Sequence, residues 1–221
     1  MADNDVSADL SAEALGRLTP DQLADLLDGL DAAHPGLADL DVEVVGRLVD
    51  PRKLSVQRFV RLLAALDRLA RQGADVDLSK LDATTFARII TRASSSQLQG
   101  IMAVSDLRTR VLDEVFRRMG DHLRHDRAAH ASAVVHWWLT GGLGDGGYDR
   151  YETIIEHGTC VAHRESTRDP RATITLHPAD FLKLITHNSS GPVLFMTGKL
   201  KVNGDLGFAA GLTSLFDLPR G

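Results

Sequence analysis

The sequence predicts an α+β protein in which a helical region precedes a sheet covered on one side by helices. Two observations carry this. From about residue 11 to 124 the apolar residues recur at helical spacing, and after His130 the period changes to alternation. The second part then reads helix, three or four strands, helix, strand, helix, the order of a sheet layered against helices.

The helical region opens with Thr19, Pro20 and Gln22, a capping box with proline at the first helical position. Leu23, Leu26, Leu27 and Leu30 follow on one face. Ser55 starts a longer helix with Val56, Phe59, Leu62, Leu63, Leu66 and Leu69 inward and Gly73 as terminator. Asp82 caps a segment carrying Phe86, Ile89 and Ile90, and another begins near Ser95 with Leu98, Ile101 and Met102 inward. The segments LTPDQLADLL, LSVQRFVRLL and LDATTFARII share a loose pattern at uneven spacing, which favours a small bundle over a regular solenoid. Ser105 opens SDLRTRVLDEVFRRMGDHL, where Leu107, Val111, Leu112, Val115, Phe116, Met119 and Leu123 make one apolar stripe.

Residues 132–140 and 148–157 read as strands, 159–165 as a short third and 172–176 as a fourth, each bounded by Gly, Asp or Pro. His177-Pro178 begins a helix with Phe181, Leu182 and Ile185 inward. Residues 192–202 contain a final strand, and Asp205 caps the closing helix DLGFAAGLTSLF.

Composition bounds the function. A chain of 221 residues with 43% hydrophobic and 25% charged content makes one generous domain or two small ones. Its net charge of -5 argues against a general nucleic-acid binder. The first 50 residues hold twelve Asp/Glu against two Lys/Arg, a net of -10, so the remainder carries +5. Solvated acidic helix faces account for the asymmetry; a docking surface for a protein partner is the alternative. Cys160 is the single cysteine, which excludes an intrachain disulfide. MADNDVSADL lacks the pattern of a leader peptide, and no run of about eighteen apolar residues offers stable membrane insertion, so a cytoplasmic protein is expected.

Motifs that carry chemistry are weak. GLGDGG (142–147) matches a dinucleotide-binding glycine pattern, but YDRYETII behind it alternates like a strand, so a hairpin connection explains it. The nine histidines, among them His122, His125, His130 and His136, lack the companions of a metal site. Nothing near Cys160 lowers a thiol pKa, and no Gly-x-Ser-x-Gly occurs. No catalytic set, metal site or cofactor is expected.

The C-terminal run TITLHPADFLKLITHNSSGPVLFMTGKLKVNGDLGFAAGLTSLF resembles the sterol carrier protein type 2 family. The telling piece is GKLKVNGDLGFAAGL, with Gly198, Lys199, Leu200, Lys201, Gly204, Leu206 and Gly207 in the family's places. RVLDEVFRRM is similar to the helix that opens the domain in bacterial members, and VVHWWLTGG to their first strand. The resemblance covers about 105–218. It implies a sterol-carrier-like domain over 105–221 behind a helical extension of residues 1–104, and a five-stranded, mainly antiparallel sheet. Between sheet and helices it implies an apolar tunnel for sterols, fatty acids, acyl-CoAs or phospholipids. It transfers no catalytic residue. The chain ends Leu-Pro-Arg-Gly where eukaryotic members often carry a peroxisomal signal.

The residues expected to line such a tunnel are Val115, Phe116, Met119, Phe181, Leu182, Ile185, Leu194, Met196, Leu200, Leu206, Phe208, Leu212, Leu215 and Phe216. Gly207, Ala209, Ala210 and Gly211 are small enough to leave room beside them. The same side chains suit a closed core, and sequence alone does not separate the two. A non-catalytic carrier of an apolar ligand is the first reading. The second is an enzyme orienting a polyketide or terpenoid intermediate in the cavity, with Tyr151, His136, Trp138 and His163 as polar candidates. The third is a regulatory protein docking through its acidic helices.

Overall fold

The computed structural model describes residues 9–31 and 33–218. Residues 1–8, most of the stretch read for a leader, and the closing 219–221 lie outside them. The described residues hold eleven α-helices and one five-stranded sheet. They divide into two units, one up to Arg108 and one from Thr109 onward.

The first unit is all helical: α1 (Ala12–Gly16), α2 (Pro20–Gly29), α3 (Val42–Leu48), α4 (Val56–Arg71), α5 (Ala83–Arg92) and α6 (Ser95–Ala103). Their starts are set by local chemistry. Thr19 and Gln22 complete a capping box, Ser55 accepts from the Arg58 amide, Asp82 from that of Thr84, and Ser94 with Gln97 forms a second box. Two arginines seal helix ends. Arg68 donates to the carbonyls of Leu27, Asp28 and Leu30 at the end of α2. Arg88 donates to those of Gly46, Arg47 and Val49 at the end of α3. Each supplies donors to carbonyls that a terminating helix leaves without partners. The α2, α4 and α6 faces pack together through Leu23, Leu27, Phe59, Leu62, Leu69, Leu98 and Ile101.

Helix α7 (Ser105–Arg118) leads into the second unit, followed by the short α8 (His125–Ala128). The strands are β1 (Ser132–Thr140), β2 (Tyr148–Glu156), β3 (Thr159–His163), β4 (Ala172–Leu176) and β5 (Leu200–Gly204), in the order β3-β2-β1-β4-β5. All neighbours are antiparallel except β1 and β4. Helix α9 (Pro178–Ile185) follows β4. The final strand expected within residues 192–202 is β5, which begins only at Leu200, and most of the stretch before it belongs to α10 (Gly191–Met196). The reason is local: Ser190 caps the turn by accepting from the Val193 amide, and Pro192 presets helical φ in its first turn. Helix α11 (Leu206–Gly211), capped by Asp205, closes the fold with a 3-10 turn at Leu212–Leu215.

The GLGDGG stretch joins antiparallel β1 and β2 and leads into a strand, so it presents no helix N-terminus to a phosphate. The β2–β3 hairpin turns on His157-Gly158, with φ of 52° and 73°, the geometry of a two-residue primed turn.

Alternation gives the sheet two faces. Ala133, Val135, Trp137 and Leu139 of β1 share one with Tyr151, Thr153 and Ile155 of β2 and Ala172, Ile174 and Leu176 of β4. Helices α7 and α9 pack there through Phe116 and Phe181. His136, Trp138, Arg150, Glu152, Thr173 and Thr175 occupy the other face.

Gly204 ends β5 at φ 96°, and a Cβ there would lie 2.5 Å from the Arg171 carbonyl oxygen. Gly204→Ala is expected to cost about 2 kcal/mol or more, left-handed backbone alone costing about 1–2 kcal/mol. Urea denaturation checks it; an unchanged midpoint would contradict the close approach.

Candidate ligand cavity

The covered face of the sheet is packed in one half and open in the other. In the packed half Phe116 of α7 stacks on Tyr151 with ring centroids 3.9 Å apart and on Phe181 at 5.1 Å. Trp137 meets the pair edgewise, 6.0 Å from Phe116 and 5.3 Å from Phe181. Its indole N–H donates to the Thr153 hydroxyl at 3.0 Å, and that hydroxyl donates to the Met119 sulfur at 3.5 Å. The tryptophan is thereby fixed, with one side committed to the aromatic cluster.

Its other side borders a cavity of about 250 Å³. Trp137, Ile174 and Val202 lie in one register row across β1, β4 and β5 and form the floor, with Leu200 beside them. Gly191, Pro192 and Phe195 of α10 make one wall. Leu206, Ala209 and Ala210 of α11 make the other, and Leu184, Leu212 and Thr213 complete the lining. The walls stand apart because α11 presents alanines where large side chains would meet α10. Among the described lining residues only Thr213 and the Trp137 indole carry polar side-chain atoms, and that indole N–H is already donated. Such a cavity binds by excluding water from apolar surface, without a charged anchor.

Of the residues named from the sequence, Leu200, Leu206 and Leu212 border this cavity. Val115, Phe116, Met119, Phe181 and Leu182 are buried on or beside α7 and α9, and Leu194 and Phe216 are buried as well. Ile185, Phe208 and Leu215 are half-buried, with the Arg171 guanidinium 4.5 Å over the Phe208 ring. Met196 points outward from α10, 85% exposed. The floor residues Trp137, Ile174 and Val202 were not read from the sequence. The odd-numbered alternation of β1 marks Trp137, but its meeting with Ile174 and Val202 is set by strand pairing.

The four polar candidates do not converge. Tyr151 lies on the covered face and donates to Asp113 at 2.7 Å; burial, then that carboxylate, push its phenol far above the ordinary value. His136, Trp138 and His163 lie on the opposite face. Trp138 stacks under Arg150 at 5.0 Å, and both histidines bond Glu152, His136 at 3.1 Å and His163 at 3.2 Å. Burial pushes the Cys160 thiol up to about 12, away from nucleophilic use. No group of three or more His, Cys, Asp or Glu among the described residues is placed to hold a metal.

Glu152 has no exposed surface, and its carboxylate ties the segment after β3 to the sheet. It accepts from the Thr167 amide and hydroxyl and from the Arg168 amide as well as from the histidines. Desolvation raises its pKa, but the Thr167 hydroxyl, the Arg168 and Thr167 amides and His136 outweigh it and hold the group at about 2. A depressed carboxylate stabilises fully above its ordinary value of 4.5 and ceases to do so as pH falls through about 2. Glu152→Gln is expected to cost roughly 1–3 kcal/mol at neutral pH and to flatten the loss of stability on acidification. Urea midpoints of both proteins along an acid series test this; parallel curves would contradict it.

Residues 112–217 match the SCP-2 sterol transfer family. Sterol carrier protein 2 from Yarrowia lipolytica in its apo form is 18% identical, over 52% of this chain and 93% of that one, with a TM-score of 0.39. Palmitated SCP2L2 from Aedes aegypti is 13% identical over 50% and 95% of the two chains, with a TM-score of 0.39. A stereoselective inverting sec-alkylsulfatase from Pseudomonas sp. is 12% identical over 86% of this chain, which spans 34% of the enzyme, with a TM-score of 0.43. No curated protein matches.

Proposed function

We propose, from the premise that residues 112–217 are a domain of the SCP-2 sterol transfer family, that this protein is a non-catalytic carrier of an apolar chain. The family supports a lipid-binding role in general. The observation that carries the finer reading is the cavity on the Trp137–Ile174–Val202 row, lined mainly by apolar side chains and walled by α10 and α11. The ligand is an acyl or isoprenoid chain laid along that row with its polar end toward the rim, and the carrier domain comprises 105–221. The sterol-like and acyl-CoA readings share this apolar contact.

Energetics suit a carrier. Each buried methylene gains about 0.8 kcal/mol, so about a dozen give on the order of 10 kcal/mol gross, of which association takes back several. Net binding in the micromolar range needs no polar anchor. The volume of about 250 Å³ falls below the roughly 300–1,000 Å³ of typical small-molecule pockets. Loading therefore includes widening, and Phe195 and Leu206, 46% and 51% exposed at the rim, are the side chains free to swing outward. The aromatic cluster of Phe116, Tyr151 and Phe181 is packed too closely to yield at comparable cost.

Native mass spectrometry of the gently purified protein, with fluorescent fatty-acid uptake, tests the reading. A co-purifying lipid and saturable uptake are expected. Ala209→Phe, which fills the cavity from a half-buried helix position, is expected to weaken uptake about tenfold or more while altering stability by less than about 1 kcal/mol. A protein that arrives empty and takes up no probe, or an Ala209→Phe variant that binds like the parent, would overturn it.

A further inference from the structure

The floor row of the cavity runs across the strands, from Val202 on the edge strand β5 through Ile174 on β4 to Trp137 on β1. Tyr151 of β2 lies next in line behind the tryptophan. Burial deepens along the row. Val202 is half-buried, whereas Ile174 and Trp137 are each 3% exposed. Phe195 and Leu206, both exposed, mark the mouth.

The two ends differ in what they can yield. Phe195 and Leu206 have solvent to turn into. Trp137 does not: its indole N–H is donated to the buried Thr153 hydroxyl at 3.0 Å, and its ring is held by Phe116 and Phe181. Behind it the stacked Phe116 and Tyr151 rings, 3.9 Å apart, leave no passage. A chain entering from the mouth therefore stops at the indole.

The length that fits follows in two ways. From Val202 to Trp137 is two strand spacings, about 10 Å, and an extended chain advances about 1.2 Å per bond, so about eight bonds lie along the row. An apolar cavity of about 150 Å³ takes up a six-carbon ring, so the volume of about 250 Å³ here holds roughly ten carbons. The yielding mouth adds a few more.

We propose that Trp137 sets the length of the ligand: the methyl end of a medium-length apolar chain meets the indole, and carbons beyond about ten to twelve remain at the mouth in water. This rests on the carrier reading and names the ligand class within it.

Displacement of a fluorescent fatty acid from the full chain tests the proposal, with unlabelled straight-chain fatty acids lengthened stepwise from about six to about eighteen carbons. Parental affinity is expected to rise about fourfold per methylene up to the break and less than about twofold per methylene beyond it. Trp137→Ala, which lets the chain run one strand spacing further to Tyr151, is expected to move the break about four carbons longer. Trp137→Leu is expected to move it the same way by a smaller step, and decides the matter where Trp137→Ala does not fold. Trp138→Leu, on the opposite face of the sheet, is expected to leave the break in place. Parental affinity that climbs evenly through the whole series, or a break that Trp137→Leu leaves where it was, would overturn the proposal and leave the carrier reading standing. Absence of displacement and of probe uptake at every length would overturn the carrier reading, and this one with it.

Discussion

Trp137 stands where the packed half of the sheet domain meets its open half, and both halves depend on how it is held. Its indole N–H is donated to Thr153, and one edge is locked against Phe116 and Phe181. A large ring fixed in this way shields the aromatic core from the cavity and supplies the cavity with a rigid floor. Ile174 and Val202 continue that floor because strand register aligns them with Trp137. Wall separation then follows from side-chain size on α11, where Ala209 and Ala210 stop short of α10.

The two faces of the sheet serve different ends. The covered face holds apolar side chains and leaves one space unfilled. The opposite face carries the ionic chemistry: Glu152 gathers Thr167, Arg168, His136 and His163, and Arg150 lies over Trp138. A buried carboxylate with that many donors is stable as an anion and rigidifies the segment that spans them. It explains why histidines that look available in the sequence are engaged in structural bonds. It also keeps titratable groups away from the cavity, whose apolar character is what a carrier requires.

Much of the fold was legible because it is written locally. Thr19, Ser55, Asp82 and Asp205 cap the helices that follow them, and the Leu107–Leu123 stripe and the alternation in β1 declare their partners' sides. The mixed α+β class and the five-stranded, mainly antiparallel sheet stand in the structure as expected. α10 was not legible, because a six-residue helix offers less than two turns of period and its Val193–Met196 run suits a strand equally well. The cavity was legible only in part. Leu200, Leu206 and Leu212 were named from the closing segment, whereas the floor depends on pairing between strands that are dozens of residues apart. Which apolar residues pack and which leave space is decided by their mutual distances, and sequence periodicity does not encode these.

An apolar chain bound on the Trp137 side of the sheet would be seen directly through the two tryptophans. They are adjacent in sequence but point to opposite faces. Fluorescence of a Trp138→Phe protein, which keeps Trp137 alone, is followed while a bromine-labelled fatty acid is added, with Trp137→Phe measured in parallel. Saturable quenching of Trp137, with none of Trp138, is the result expected. Quenching of Trp138, or of neither, would contradict the placement of the ligand in this cavity.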